Sequence, residues 1–79
     1  MDVAIVTGAA SALGAALARA LIDEGLRVYG LGGDYREMPF NNRDFIPVPL
    51  DLSRPDEVTQ AAGKILHEEG GIALLVHNA

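Results

Sequence analysis

Four short apolar runs mark the chain, and two longer stretches with helical periodicity join the first run to the second and the third to the fourth. The runs are largely continuous and do not alternate with polar residues, which is typical of strands buried on both faces of a parallel sheet. Pro47 and Pro49 lie in the third run and indicate limited pairing on one side. The predicted strands are residues 3–6, 27–31, 45–50 and 72–76.

The first helical stretch, residues 12–24, consists mainly of strong helix formers, alanine and leucine above all. Gly25 follows it, where a glycine commonly ends a helix. The abundance of alanine predicts a helix that packs closely against its sheet. Its predicted buried face consists of Leu13, Leu17, Ala20 and Leu21.

The second helical stretch is predicted to begin at Ser53, because Ser53 and Asp56 resemble a capping box, and to end before Gly70. Its predicted buried face consists of Val58, Ala61, Ala62, Ile65 and Leu66. The order of elements is therefore strand, helix, strand, loop, strand, helix, strand. This alternation predicts an open α/β sheet of parallel strands with right-handed crossovers.

Composition and charge limit the classes of partner. A chain of 79 residues is at most one small domain and buries only about 60% of its unfolded surface. The net charge of −5, without any basic run, disfavours nucleic acids and anionic membranes as partners. The absence of cysteine excludes disulfides and thiolate metal sites, and no metal site is predicted. The first apolar run is too short for a signal peptide or a membrane span, so the cytoplasm is the expected location.

The loop between the first strand and the first helix carries two glycines, Gly8 and Gly14. Gly8 permits a tight turn, Gly14 allows close packing of helix on sheet, and the free amides of a helix start attract an anion. No Lys-Ser or Lys-Thr pair follows the second glycine, which excludes a P-loop. The glycine spacing alone fits a plain strand–helix turn equally well.

Three motifs occur in a fixed order: "TGAASALG" at residues 7–14, "LDL" at residues 50–52 and "LLVHNA" at residues 74–79. They resemble the glycine loop, the Asp-apolar adenine clamp and the Asn-Asn-Ala-Gly motif of the short-chain dehydrogenase/reductase family. The resemblance covers the whole chain and implies the first, cofactor-binding half of a doubly wound Rossmann-type fold. It implies NAD or NADP as the cofactor, without resolving which.

The resemblance assigns cofactor-binding roles along the chain. The pyrophosphate would lie over residues 11–14 and the adenine against Asp51 and Leu52. The position of the family's ribose-binding acid falls on Gly32, while Asp34 follows two residues later and Arg36 later still. Neither NAD nor NADP therefore has its expected ribose partner, which predicts weak discrimination between them. Asp51 has a plainer alternative role, as a turn residue or as a partner of the helix dipole. The full set of expected cofactor-binding residues is Gly8, Ser11, Ala12, Leu13, Gly14, Gly32, Asp34, Asp51, Leu52, Asn78 and Ala79.

Two positions depart from the family pattern. Ala12 stands in place of the middle glycine, which is tolerable if its φ is negative, and His77 replaces the first asparagine of the later motif. The extended branch of the family, which includes sugar-nucleotide epimerases, would place its middle glycine at Ser11. The Asn78-Ala79 pair favours the compact dehydrogenase branch. No catalytic part is assigned to His77.

The family's catalytic serine and Tyr-x-x-x-Lys pair are expected downstream of the Asn-Ala motif. Gly33 follows Tyr29 by four residues and Pro39 follows Tyr35 by four, so neither tyrosine forms the pair and no catalytic residue is predicted. Residues 1–79 are thus expected to be a partial NAD(P)-binding domain that stops after the fourth strand.

Three functions remain open for the chain. It could belong to an oxidoreductase that moves a hydride between the nicotinamide and an alcohol or carbonyl substrate, to a non-catalytic dinucleotide sensor, or to an inert fragment. A small-molecule substrate is expected only for the full-length protein, and a homo-oligomer is left open.

Overall fold

The computed structural model describes residues 1–33 and 42–78. Within them, a single parallel sheet has the strand order β3-β2-β1-β4. This architecture confirms the predicted α/β, Rossmann-type fold. The elements are β1 (Val3–Thr7), α1 (Ala12–Asp23), β2 (Arg27–Leu31), β3 (Phe45–Val48), α2 (Pro55–Glu69) and β4 (Leu74–His77).

The direction in which strands are added to the sheet reverses after β3. The chain builds β1, β2 and β3 side by side, and then crosses back to place β4 on the free side of β1. Thr7, the last residue of β1, lies between Leu31 of β2 and His77 of β4. In open α/β sheets, ligands bind at the carboxyl ends of the strands where the order reverses. The fold therefore places the glycine loop at this point.

Each face of the sheet has its own hydrophobic core. The face that α1 covers contains Ala4, Val6, Ala9, Ala18, Val28 and Phe45. The face that α2 covers contains Val3, Ile5, Tyr29, Leu31 and Ile65. All of β1 is buried, which explains why its sequence is apolar without alternation.

The predicted face of α1 is correct only in part: Leu21 packs against the core, whereas Leu13 and Ala20 are exposed. The helix buries its small residues Gly14, Ala15 and Ala18, whereas Leu13 is 64% exposed. The prediction followed the large apolar side chains, but close approach of the helix to the sheet requires small ones at the contact. The expectation of tight packing from the alanine content is correct.

The predicted capping box of α2 is wrong. The helix begins at Pro55, and its N-cap residue Arg54 makes no side-chain capping bond. The backbone N–H and the hydroxyl of Ser53 both donate to Oδ1 of Asp51, at 2.9 and 2.6 Å. Because this turn occupies Ser53, the helix starts two residues later, where a proline costs no backbone donor. The third strand is also shorter than predicted, since β3 ends at Val48, before Pro49, and not at residue 50.

A polar cluster joins the end of α2 to β2. The Tyr29 hydroxyl donates to Oε2 of Glu69 at 2.5 Å, and Arg27 Nη1 donates to the same oxygen at 3.1 Å. Burial, followed by the bond to Glu69, raises the pKa of Tyr29 to about 12. The bonds from Tyr29 and then Arg27 lower the pKa of the Glu69 carboxyl.

The Tyr29 pKa predicts how stability changes in alkaline solution. Folding favours the neutral phenol, so this contribution is complete below pH 10 and is lost as the pH rises through about 12. Glu69→Gln should lower the Tyr29 pKa but keep it above 10.0, because burial is the larger cause. The ultraviolet absorbance of tyrosinate measures the titration, and Tyr29→Phe assigns it. Glu24→Gln is the control, because Glu24 is not among the groups that shift the Tyr29 pKa. An unchanged Tyr29 titration in Glu69→Gln would contradict the assignment.

Candidate functional site

The loop that follows β1 turns sharply at Gly8, whose φ of +69° favours glycine. The Gly8 N–H donates to the carbonyl of Leu31 at 3.0 Å, which ties the turn to the end of β2. The Ser11 N–H donates to the carbonyl of Gly8 at 3.1 Å and closes the turn. The first turn of α1 is therefore held over the carboxyl edge of the sheet.

Ser11 caps α1 and leaves two backbone donors open. Its Oγ accepts from the Gly14 N–H at 3.0 Å and donates to the carbonyl of Gly8 at 2.8 Å. Among the residues that the structure describes, no group accepts from the N–H of Ala12 or Leu13. Ser11, Ala12 and Leu13 are exposed. Such a helix start attracts an anion through free N–H groups and the helix dipole.

Gly14 is the point of closest approach between α1 and the loop. A Cβ built at this position would collide with the carbonyl oxygen of Gly8 and lie 2.8 Å from Cα of Ala9. Ala12, which stands where the family has glycine, is accommodated without strain. No non-glycine residue in the described part of the chain has a positive φ.

Asn78 brings the third motif to the first. Its backbone N–H donates to Oγ1 of Thr7 at 2.9 Å, and its side-chain Nδ2 lies 3.2 Å from Oγ of Ser11 and 3.4 Å from the carbonyl oxygen of Gly8. Thr7 is 3% exposed. The role of Thr7 in holding Asn78 was not predicted. The only hint of it in the sequence was that Thr7 belongs to the first motif.

The second motif lies beside the end of β2. Gly32 has a φ of +85°, and a Cβ built there would lie 2.6 Å from Cδ1 of Leu52. Leu52 thus fills the space in which a side chain at position 32 would lie. Asp51 is exposed, and the hydrogen bonds from the hydroxyl and then the backbone of Ser53 lower the pKa of its carboxyl. This Asx-type turn is the plainer role expected for Asp51.

The structure thus brings the predicted residues together in two groups. Gly8, Ser11, Gly14 and Asn78 share contacts around the loop, and Gly32 and Leu52 form the other group. Gly33 connects these two groups, because it follows Gly32 in the chain and lies against Ala10 of the loop. A Cβ built at Gly33 would be only 2.8 Å from Cβ of Ala10. Neither Gly33 nor Ala10 was a predicted site residue; only the Gly-Gly pair after β2 offered a signal. Asp34 and Ala79 lie outside the described residues.

Residues 1–33 and 42–78 contain neither a metal-binding cluster nor a helix that could span a membrane. Within these ranges, no three His, Asp or Glu side chains are grouped closely enough to hold a metal ion. No helix there combines the length and the apolar character that crossing a membrane requires.

Sequence comparison connects these motifs to known proteins. A family model described as short chain dehydrogenase matches residues 2–79. The chain is 41% identical to an uncharacterised short-chain type dehydrogenase/reductase of Sinorhizobium fredii, over 99% of the chain and 30% of that protein. It is 32% identical to human dehydrogenase/reductase SDR family member 11, over 96% of the chain and 33% of that protein.

Structure comparison gives the same result. The ligand-free aldohexose dehydrogenase of Thermoplasma acidophilum superposes with a TM-score of 0.84 and 33% sequence identity. The alignment covers 99% of the chain and 29% of that structure. The chain therefore spans about a third of the length of the relatives that it matches.

Proposed function

The chain belongs to the short-chain dehydrogenase family, and from that premise we propose that residues 1–79 form the NAD- or NADP-binding first part of an oxidoreductase. The reaction would move a hydride between the nicotinamide and an alcohol or carbonyl compound. The observation that carries the proposal is the open start of α1, where the N–H groups of Ala12 and Leu13 have no acceptor among the described residues.

The residues present fit a dinucleotide in two respects. The absence of a side chain at Gly14 lets the first turn of α1 lie directly against the backbone of Gly8 and Ala9. The exposed positions of Ser11, Ala12 and Leu13 leave room for a pyrophosphate. The open N–H groups and the dipole of α1 would bind the phosphate charge.

The other end of the cofactor would lie against the second group of residues. Leu52 offers an apolar surface to the adenine ring, and the carboxylate of Asp51 would accept a hydrogen bond from the adenine amino group. The hydrogen bonds from Ser53 lower the pKa of the Asp51 carboxyl, which favours its charged form, an acceptor of hydrogen bonds. When bound, the nicotinamide supplies or accepts the hydride. Asn78 and Thr7 act on the loop, which they hold in the shape that exposes the α1 donors.

The rest of the activity requires more than these residues. The relatives are about three times as long as the chain, so we propose that it is a partial domain and that the proton donor and the substrate site lie in residues beyond it. A small-molecule substrate would belong to that full-length protein, for which a homo-oligomer is left open. The Asn78-Ala79 pair favours the compact branch of the family.

Calorimetric titration of the full-length protein tests both the binding and the choice of cofactor. NAD and NADP should both bind, with affinities that differ by less than about a hundredfold, or 2.7 kcal/mol. The reason is that Gly32, at the position expected for a ribose-binding acid, has a left-handed backbone and no space for a side chain.

Two outcomes of this titration would count against the proposal in different ways. No binding of either dinucleotide would contradict the function itself. A preference greater than a hundredfold would show instead that Asp34, for NAD, or Arg36, for NADP, contacts the ribose. Substituting those two residues by alanine distinguishes them.

A further inference from the structure

Two adjacent glycines follow β2, Gly32 and Gly33, and another part of the chain already fills the space beside each of them. A Cβ built at Gly32 would overlap Cγ of Leu52 and lie 2.6 Å from its Cδ1 and 2.9 Å from its Cδ2. A Cβ built at Gly33 would instead meet Ala10, and no described atom of Leu52 lies within 4 Å of it. Leu52 therefore closes position 32 and leaves position 33 unaffected.

Neither partner in the contact between Gly32 and Leu52 is free to move aside. The Gly32 N–H donates to the carbonyl of Val48 at 3.0 Å, which fixes the backbone of Gly32 against the end of β3. Leu52 is half-buried and packs against the core of the α2-covered face. Turning its Cγ away from Gly32 would remove the side chain from its place in that core. A side chain at position 32 and a leucine at position 52 therefore exclude each other.

We propose that Leu52 determines how the protein discriminates between NAD and NADP, an inference that rests on the proposed function. The position of the ribose-binding acid falls on Gly32, and Leu52 fills the space that such an acid needs. This side of the ribose site thus consists of backbone and aliphatic carbon. It offers neither a carboxylate to the ribose hydroxyls nor a cation to a 2′-phosphate. Shortening the leucine makes room for a carboxylate at position 32.

A double-mutant cycle between positions 32 and 52 tests this, with calorimetry of NAD and NADP binding to the full-length protein. Gly32→Asp alone should weaken the binding of both cofactors with little change in their ratio, because Leu52 displaces the new side chain. Combined with Leu52→Ala, the same aspartate should favour NAD by at least about tenfold, since its carboxylate accepts from the ribose and repels a 2′-phosphate. Leu52→Ala alone should create no preference. The strain of a side chain at a φ of +85° is common to both aspartate variants and cancels in the cycle.

The stability of the full-length protein gives a second readout that does not require the cofactor. Gly32→Ala should lower the unfolding temperature of the wild type by about 2–4 °C more than that of Leu52→Ala, because the overlap is present only with the leucine. Gly33→Ala is the matched control. Its φ of +96° is also left-handed, but its Cβ would meet Ala10, so its effect should be the same in both backgrounds. If the aspartate variants do not fold, this alanine cycle decides.

Three results would overturn the inference and leave dinucleotide binding intact. The first is an equal preference for NAD in Gly32→Asp with and without the leucine. The second is an equal effect of Gly32→Ala on the unfolding temperature in the two backgrounds. The third is a wild type that prefers one cofactor by more than about a hundredfold, because another residue would then set the preference. A wild type that binds neither cofactor would overturn the proposed function as well.

Discussion

Gly14→Val is expected to reduce dinucleotide affinity by at least about a hundredfold, or 2.7 kcal/mol. A Cβ at position 14 would meet the backbone of Gly8 and Ala9, which cannot move aside as a flexible side chain can. The start of α1 must therefore move away from the loop. This movement breaks the capping hydrogen bond, 3.0 Å long, that the Gly14 N–H donates to Oγ of Ser11. The donors of Ala12 and Leu13 then no longer point to one place. Calorimetry on the full-length protein measures the loss.

Gly63→Val is the matched control for this substitution. Gly63 also lies within a helix, but a Cβ built there meets nothing within 4 Å. Its affinity for the dinucleotide should equal that of the wild type. Circular dichroism verifies that each variant folds, and Gly14→Ala provides a smaller change if the valine variant does not. Undiminished affinity in a folded Gly14 variant would contradict the proposed binding of the pyrophosphate over residues 11–14.

A polypeptide of residues 1–79, produced alone, is expected to turn over no alcohol or carbonyl substrate. Catalysis in this family requires a Tyr-x-x-x-Lys pair, which these residues lack. Tyr29 is not a substitute for it, because it is 7% exposed and its hydroxyl donates to Glu69. Glu69 ends α2, just before the chain enters the start of β4, so it lies at the sheet edge opposite the loop. The Tyr29 pKa of about 12 also makes its hydroxyl a poor acid near neutral pH.

The assay follows oxidation of NADH or NADPH against a panel of ketones and aldehydes. Gel filtration should show that the isolated polypeptide self-associates, because Leu74 and Leu75 of β4 are 40% and 64% exposed, beside a strand edge that no strand among residues 1–33 and 42–78 pairs with. The cofactor without substrate is the control. Turnover above this control that disappears in Asp51→Ala or Asn78→Ala would contradict the absence of catalytic residues.

The sequence predicted the fold because its strongest signals are local. The continuous apolar runs predicted the four strands, and their alternation with helices predicted the parallel order. The fourth strand was predicted as buried over residues 72–76, whereas β4 is Leu74–His77 and mostly exposed. The errors arose where two local rules compete. Ser53 matches a capping box, yet the neighbouring Asp51 captures its hydroxyl first, at 2.6 Å. Leu13 matches an apolar helix face, yet the helix approaches the sheet through smaller residues and leaves Leu13 exposed.

The candidate site was predicted less completely than the fold. The motifs placed Gly8, Ser11, Gly14 and Asn78 at one site, and their contacts agree with this placement. Two contacts between residues distant in sequence were not predicted. Asn78 donates a hydrogen bond to Thr7, and Leu52 fills the space beside Gly32. Such contacts depend on the register of the strands and on where α2 begins relative to the end of the sheet. No local sequence pattern specifies either of these.

The binding of a dinucleotide at the start of α1 is tested most directly by mapping amide signals in nuclear magnetic resonance spectra as NAD is added to the full-length protein. The largest shifts should occur at the N–H groups of Ala12 and Leu13, with smaller ones at Gly8 and Asn78. Gly63 and Gly70, which lie within and at the end of α2, should not respond. Shifts confined to other parts of the chain, or none at saturating NAD, would contradict the account.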